Sequence, residues 1–487
     1  MNRNIQYYTR LYCLLPVVLL AITSCSKFLK EEVFTEYDPA TFVQTKEGLN
    51  SILNAAYNNM EVTSAMRERM YTFNEFPGDI MWEWGGSFEN AATLYMTYNW
   101  DAQEGFLSGV WQQYYISIRN ANSLLDNVDK AASLPEDVKK QYRAEARFIR
   151  AADYYFLWQL FGTVPLVTTT DSLSLSPRRA TPEEFNEFLV GEFQAAASDL
   201  PVTQPLWGKA TRGAAWGLLG EYYLNSRQWQ QAADVNKQVM DLKIYKLFTG
   251  DIKNMFAVAN EQNEEVVFTS PALPTLHGNV YMPHAFPPNY PVQSNWLNYG
   301  AQFCIYNSWV KTYNANDKRL QWFLFGYTDL KGVVHDLLNP ADAGKAVRCF
   351  KYVPDPNAIS EAHGNDIPVI RYAEVLLNRA EALNEINGPT SEALDLFNAV
   401  RRRAGVPDYT MADVPSKEAF RSLVLQERGW EFVAEGKRRM DLIRQGQLIP
   451  RALARGAANA KDYKTLFPIP KSETDANPSL EQNPGYN

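Results

Sequence analysis

The chain has 487 residues, 46% hydrophobic and 13% aromatic, and a formal charge of -8. That composition belongs to a globular protein with a large core, long enough for one big domain or two or three. The negative balance argues against nucleic acid, whose recognition rests on neutralising phosphates with Lys and Arg.

Residues 1–10 carry Arg3 and Arg10 and no acid, and Leu11 to Ile22 is almost wholly apolar apart from Pro16. Small Thr23 and Ser24 then precede Cys25. This is the order of a secretory signal peptide, 1–24, and its apolar run is far short of the ~20 residues of a membrane-spanning helix. No later stretch is long and apolar enough to span either. A leader that closes on small residues and Cys resembles a bacterial lipoprotein leader, which implies a lipid on Cys25; an ordinary leader with an incidental Cys is the alternative. Several acyl chains on one residue would hold the chain stably, since one chain alone is marginal. Residues 25–36, with Lys27, Lys30, Glu31 and Glu32, then read as a solvated tether. Acidic residues just after the lipid resemble a surface-export signal of Bacteroidetes lipoproteins.

Helical periods dominate the chain beyond the tether. Trp111 to Val128 keeps Trp111, Tyr115, Ile118, Asn122 and Leu125 near one face. Ser133-Leu-Pro-Glu136 has the capping-box spacing and predicts a helix from about Asp137 to Phe161, stopped by Gly162. Thr181-Pro-Glu-Glu184 repeats that spacing and opens a helix with Phe185, Phe188, Leu189, Phe193 and Ala196 on one side, closed by Pro201. Trp216-x2-Leu219-Gly220-x2-Tyr223, with Ala232 on the next helix, matches a tetratricopeptide repeat, although Asn236 stands where an aromatic is expected. Gly220 would let two helices approach closely, with Trp216 and Tyr223 filling the groove. A second pair spans 371–404, about the 34 residues of one repeat. Asn387-Gly388-Pro389 breaks its first helix, and Ser391 can cap its second.

Two stretches lack a helical period: 76–100 and, more broadly, about 249–366. They are rich in Pro, Gly, Asn and aromatics and read as ordered loops with short strands, where function usually sits. The expected organisation is a mostly α chain of tetratricopeptide-like helix pairs with a loop-rich, short-strand remainder. An N-terminal part, 37–245, and a C-terminal part, 246–487, would form one compact body.

Segments 143–167, 209–241, 365–385, 396–407, 426–446 and 467–486, in that order, resemble the SusD/RagB family of Bacteroidetes outer-membrane lipoproteins. The resemblance covers nearly all of the chain after the leader. It implies four tetratricopeptide-like pairs packed against a loop-rich remainder. It also implies a surface-exposed nutrient-binding lid on a SusC-like TonB-dependent transporter, taking an oligosaccharide or, less often, a peptide.

Catalytic signatures are absent: there is no HExxH, GxSxG or GxxxxGK[ST], and "WGKAT" (207–211) lacks the upstream glycine of a phosphate loop. His277, His284, His335 and His363 lie in loop-like stretches without metal-ligand spacing and read as solvated. Neither a metal site nor a cofactor is expected. Cys304 and Cys349 form no CxxC; two buried free thiols fit better than a disulfide. Counting acids does not exclude paired carboxylates for glycoside cleavage, but "EEFNEF" and "NEEVV" read as solvated faces. A secreted glycan-cleaving enzyme is therefore a rival function, and an adaptor that holds surface enzymes is another.

Sugar rings show an apolar C–H face that packs on aromatic rings, and hydroxyls that need polar partners around the rim. "MWEWGG" supplies Trp82, Glu83 and Trp84 beside permissive glycines, and an extended backbone would point both Trp side chains one way. "NYPVQSNWLNYG" supplies Tyr290, Asn295, Trp296, Asn298 and Tyr299. Trp82, Trp84, Tyr290, Trp296 and Tyr299 are the candidate ligand-binding residues, with no catalytic or metal residue beside them. Trp111, Trp158, Trp216, Trp229, Trp309 and Tyr313 are expected to pack in the core.

Overall fold

The computed structural model describes residues 39–60, 67–86, 88–170, 176–275, 278–300, 302–339 and 346–486. The leader, Cys25 and the tether to residue 36 lie outside the described residues, as does His277.

The helical half is a run of packed pairs. Helices α1 (Lys46–Asn59), α2 (Arg67–Asn74) and α3 (Glu89–Met96) are followed by the long α4 (Gly105–Val128) and α5 (Glu136–Phe161). Then come α6 (Pro182–Asp199), α7 (Arg212–Asn225) and α8 (Trp229–Asp241). Helix α1 packs on α4, α4 on α5, α5 on α6, α6 on α7 and α7 on α8. Past the loop-rich region, α8 meets α10 (Tyr372–Asn387), which carries α11 (Ser391–Ala404) and α12 (Lys417–Glu431). Four pairs result among the described residues, α1/α4, α5/α6, α7/α8 and α10/α11, as the family resemblance implies.

Local chemistry explains most helix ends. Thr181 and Glu184 form a complete capping box, each side chain accepting from the other's backbone N–H at 3.2 and 2.9 Å. Ser133 and Glu136 do not: α5 begins at Glu136, and Pro135 is the N-cap with no side-chain bond. Pro135 has no N–H to give, and its extended ψ of 148° places the first turn after it rather than around it. Gly162 ends α5 at φ 74°, a left-handed value that suits glycine. The cap of α11 is Thr390, one residue before the expected Ser391, accepting from Ala393 N at 3.1 Å.

The α7/α8 pair carries a close helix approach. A Cβ on Gly220 would stand 2.7 Å from the Asn236 amide nitrogen, inside contact distance. Asn236, fully buried, fills the slot left by the absent aromatic and returns its own donor to Ala232 O at 2.8 Å. The expected core residues pack inside: Trp111, Trp309 and Tyr313 are buried, and Trp158, Trp216 and Trp229 lie half-buried against the core.

The remainder is loop with, among the described residues, four two-stranded antiparallel sheets. Strand β1 (Met81–Glu83) pairs with β3 (Phe303–Ile305), and β2 (Val266–Ser270) with β8 (Ile367–Arg371). Strand β4 (Phe323–Leu324) pairs with β7 (Arg348–Cys349), and β5 (Gly326–Thr328) with β6 (Val334–Asp336). A short helix α9 (Tyr281–Ala285) sits between β2 and β3, and α13 (Arg438–Arg444) and α14 (Leu448–Ala454) follow α12. Cys304 and Cys349 are both buried free thiols.

Several polar residues expected on the surface are inside. Glu265, in "NEEVV", is fully buried; only Glu264 faces out, pairing with Lys246 at 2.6 Å. His284 and His363 are buried and His335 is half-buried, so none of the three is a solvated loop residue. His284 stacks on Phe303 at 4.5 Å and His335 on Tyr327 at 4.6 Å. His363 accepts from Asp355 N at 3.0 Å, and burial pushes its ring down to about 4, so it is neutral. Each imidazole has found a ring or a backbone partner, which sequence spacing alone does not reveal.

Glu265 belongs to a buried network. Arg371 meets Glu265, Glu431 and Glu435; Arg319 meets Asp317, Glu427 and Glu431; Arg401 meets Glu427; Arg403 meets Glu265 and Glu431; Lys351 meets Glu435. Five cations thus face five carboxylates, so the group carries no net charge into the interior. Burial alone would raise the Glu435 carboxyl, but Arg371 and Lys351 outweigh it and hold the group below the usual carboxylate range. Removing one partner strands a buried charge. Arg371→Ala should therefore cost about 3–5 kcal/mol in urea denaturation, while Lys237→Ala, which breaks an exposed pair with Asp241, should cost less than about 0.5 kcal/mol. Depressed carboxylates stabilise the fold above their unfolded pKa near ~4.3, so the melting temperature should drop as pH falls from about 5 to 3.

Candidate functional site

The two aromatic loop regions are joined by one short sheet. Met81, Trp82 and Glu83 lie opposite Ile305, Cys304 and Phe303, and Trp84 N extends the ladder to Gln302 O at 3.2 Å. Alternation along β1 sends Met81 and Glu83 inward, while Trp82 is half-buried and Trp84 43% exposed. Gly85 and Gly86 turn the chain away at φ 87° and 75°; a Cβ on Gly86 would collide with the Gln302 amide at 2.4 Å.

Trp82 stacks on Tyr306 with centroids 6.0 Å apart and planes 23° from parallel. Behind Tyr306 stands Arg455, 5.9 Å from the ring centre, donating to Met96 O at 3.2 Å and Pro77 O at 3.1 Å. The turn that leads into β1 carries Asp79, held by Arg438 at 2.6 and 3.0 Å and paired also with Arg451. Burial works to raise the Asp79 carboxyl; the two guanidinium groups outweigh it and take it to about 2.

The second cluster is a ladder of rings. Phe286, buried at the end of α9, is stacked by Tyr290 at 5.5 Å and by Trp296 at 5.7 Å, each within 10° of parallel. Trp296 keeps its indole N–H on Asp355 O at 2.9 Å, and both Tyr290 and Trp296 are half-buried. Tyr299 is 37% exposed, with its ring 4.8 Å from His284. His284 stacks in turn on Phe303 of β3, so this cluster hangs on the same sheet as Trp82.

Three polar residues beside these aromatics serve other purposes. Asn295 donates to Pro356 O and Ala358 O at 3.2 and 2.8 Å. Asn298 bridges Pro287 O and Gly300 N at 3.0 and 2.7 Å. Both shape the loop rather than rim a site. Glu83 points into the interior at 2% exposure, and neither of its oxygens has a protein hydrogen-bond partner among the described residues. Burial, with Glu89 nearby and against the pull of Arg348, raises its carboxyl to about 8.

The sequence pattern does not mark Tyr306, Phe286, Arg451 or Arg455. Tyr306 and Phe286 acquire their places through long-range pairing, and the arginines sit where a solvated helical face is the simpler expectation. The described residues hold no group of three or more His, Cys, Asp or Glu that could bind a metal, and no helix long and apolar enough to cross a membrane.

Stacked helix pairs with a loop-rich, aromatic remainder define a helical-repeat scaffold. Residues 342–486 match the family model described as "SusD family", and 27–224 the one described as "Starch-binding associating with outer membrane". The chain belongs to the SusD/RagB family. It is 27% identical over 509 residues to SusD-like protein P2 of Formosa agariphila, covering 96% of this chain and 98% of that protein. The fold matches a SusD homolog from Bacteroides thetaiotaomicron with a TM-score of 0.80 at 23% identity, over 93% of this chain and 100% of that one. It also matches surface glycan-binding protein A from the same organism, solved with laminarihexaose, at a TM-score of 0.75 and 21% identity, over 90% and 99%. These relatives are named as binding proteins or family homologues, not enzymes.

A carboxyl raised by burial destabilises the fold above its unfolded pKa, increasingly until pH passes its folded value. Glu83→Gln should therefore raise the melting temperature at pH 8 by several degrees and leave it nearly unchanged at pH 4, read by thermal denaturation across pH.

Proposed function

We propose that this chain is a surface-exposed, non-enzymatic lipoprotein of the outer membrane, anchored through Cys25. It captures an oligosaccharide on Trp82, Trp84, Tyr290, Trp296 and Tyr299 and hands it to a partner SusC-like TonB-dependent transporter. The observation that carries the reading is the β1–β3 pairing, which fastens both aromatic loop regions to one frame. Flat rings held by stacking, as Trp82 is on Tyr306 and Trp296 on Phe286, are the pre-organised surfaces that a pyranose face needs. The family supports the glycan as ligand over a peptide, and laminarihexaose is the sugar bound by one structural neighbour. A lipid tether would keep the body beside its transporter by raising effective concentration without a new contact.

Calorimetry with a glycan panel tests the capture. Trp82→Ala and Trp296→Ala should each weaken binding about tenfold, a loss on the scale of one aromatic contact; no binding by the wild type to any glycan would refute the reading. New reducing ends in the same incubations would mark an enzyme instead. Replacing Cys25 by Ala should leave the fold intact and move the protein from the membrane fraction to the soluble one.

A further inference from the structure

The charge around the Trp82 platform is opposite in sign to the charge of the whole chain. Arg438, Arg451 and Arg455 gather at the turn 77–79 that leads into β1. Arg438 and Arg451 share Asp79. Arg455 donates to Pro77 O, which also accepts from the Tyr98 hydroxyl at 2.9 Å. Among the described residues Arg455 pairs with no carboxylate: it donates to Met96 O, Pro77 O and the Tyr306 hydroxyl. Three guanidinium groups thus meet a turn with one ionised carboxylate, Asp79, while Asp441 beyond Arg438 on α13 is taken up by Arg428 and Arg444. Glu75, the next acid along, is buried and raised to about 8, chiefly by burial, so it is protonated at neutral pH and offsets none of this charge. Glu83 is raised in the same way, which leaves exposed Glu89 as the acid on the far side of β1.

This surplus is placed where a ligand on Trp82 would feel it. Arg455 lies 5.9 Å from the centre of the Tyr306 ring on which Trp82 stacks, and Arg438 and Arg451 meet Asp79, three residues before Trp82 in the chain. Arg451 has a side chain 34% exposed and holds only the second share of Asp79, whose two oxygens already meet Arg438. Its exposed side leaves it within reach of an incoming anion while Arg438 keeps both oxygens of Asp79. Low-dielectric surroundings strengthen such a field, while the acidic remainder of the surface repels anions elsewhere.

We infer that the glycan taken by this site is anionic, with a carboxylate or sulfate group read by Arg451, in the field of Arg455 and Arg438, beside the Trp82 ring. This rests on the glycan-binding reading and names its substrate class. The shared chemistry is a planar or tetrahedral oxyanion that a guanidinium can hold through two hydrogen bonds.

Calorimetry with the full mature chain and four probes tests it: polygalacturonate, a sulfated galactan, neutral laminarin and a glutamate-rich peptide. One of the two acidic polysaccharides should bind at least about tenfold tighter than laminarin at low salt and lose most of that margin in ~0.5 M NaCl. Which of them binds tells carboxylate from sulfate. Arg451→Gln should remove the margin while the protein stays folded through the two bonds of Arg438 to Asp79, and Arg402→Gln, which removes an exposed charge paired with Asp408, should keep the margin. Laminarin bound as tightly as both acidic polysaccharides, or an Arg451→Gln margin equal to wild type, overturns the inference and leaves the glycan reading standing. Binding to none of the polysaccharides, or to the peptide alone, overturns both.

Discussion

Everything in this fold turns on a neutral island of charge buried where the helical repeats meet the loop-rich half. Arg371 closes strand β8 and opens helix α10, and its guanidinium reaches Glu265 on one side and Glu431 and Glu435 on the other. One side chain therefore ties the β2–β8 sheet to the end of α12 and the turn after it. Ion pairs of this kind rarely add much stability over a well-packed apolar equivalent, because desolvation offsets the attraction. Their effect is to make the alternatives expensive. A register slip of β8, or a one-turn shift of α12, would leave several buried charges without partners. Balance within the group matters for the same reason: an excess of either sign in the core would have no counter-ion.

Legibility from sequence depends on the range of the interaction. The Thr181 capping box, the Gly162 stop and the close approach at Gly220 are decided by neighbours within a helix, one turn or one helix pair, and the sequence shows each of them. The Ser133 box fails because Pro135 competes at the same place, and the α11 cap falls on Thr390 rather than Ser391 since either hydroxyl can serve. Long-range features leave weaker marks. Glu427 and Glu431 stand four apart on α12, the usual signature of a solvated helix face, yet their partners Arg319, Arg371, Arg401 and Arg403 come from other elements. The histidines mislead in a similar way: the partner that each one finds is brought by tertiary structure, not by spacing.

The same contrast runs through the candidate site. Alternation in "MWEW" is enough to send Trp82 and Trp84 one way and Glu83 the other, once the stretch is extended. Nothing local foretells that Tyr306 lies under Trp82, because that depends on β1 and β3 pairing in one register. Asn295 and Asn298 illustrate the opposite error. Amide side chains beside aromatics resemble a sugar-binding rim, but a long irregular loop has many backbone carbonyls to satisfy, and these two amides are used up doing so.

The buried island and the aromatic face are parts of one construction. After Glu435 the chain passes Gly436, whose N–H meets Glu75 at 2.7 Å, and enters α13, where Arg438 grips Asp79. Glu75 and Asp79 flank the turn that delivers residues 80–84 to the sheet with β3. A stretch of about ten residues therefore closes the core at one end and sets the base of Trp82 at the other. This gives a physical reason for the family likeness of segment 426–446. The charges of that segment have fixed partners on several elements, so few substitutions would be neutral there. The loop rings rest on a rigid frame, Trp82 on Tyr306 and Trp296 on Phe286.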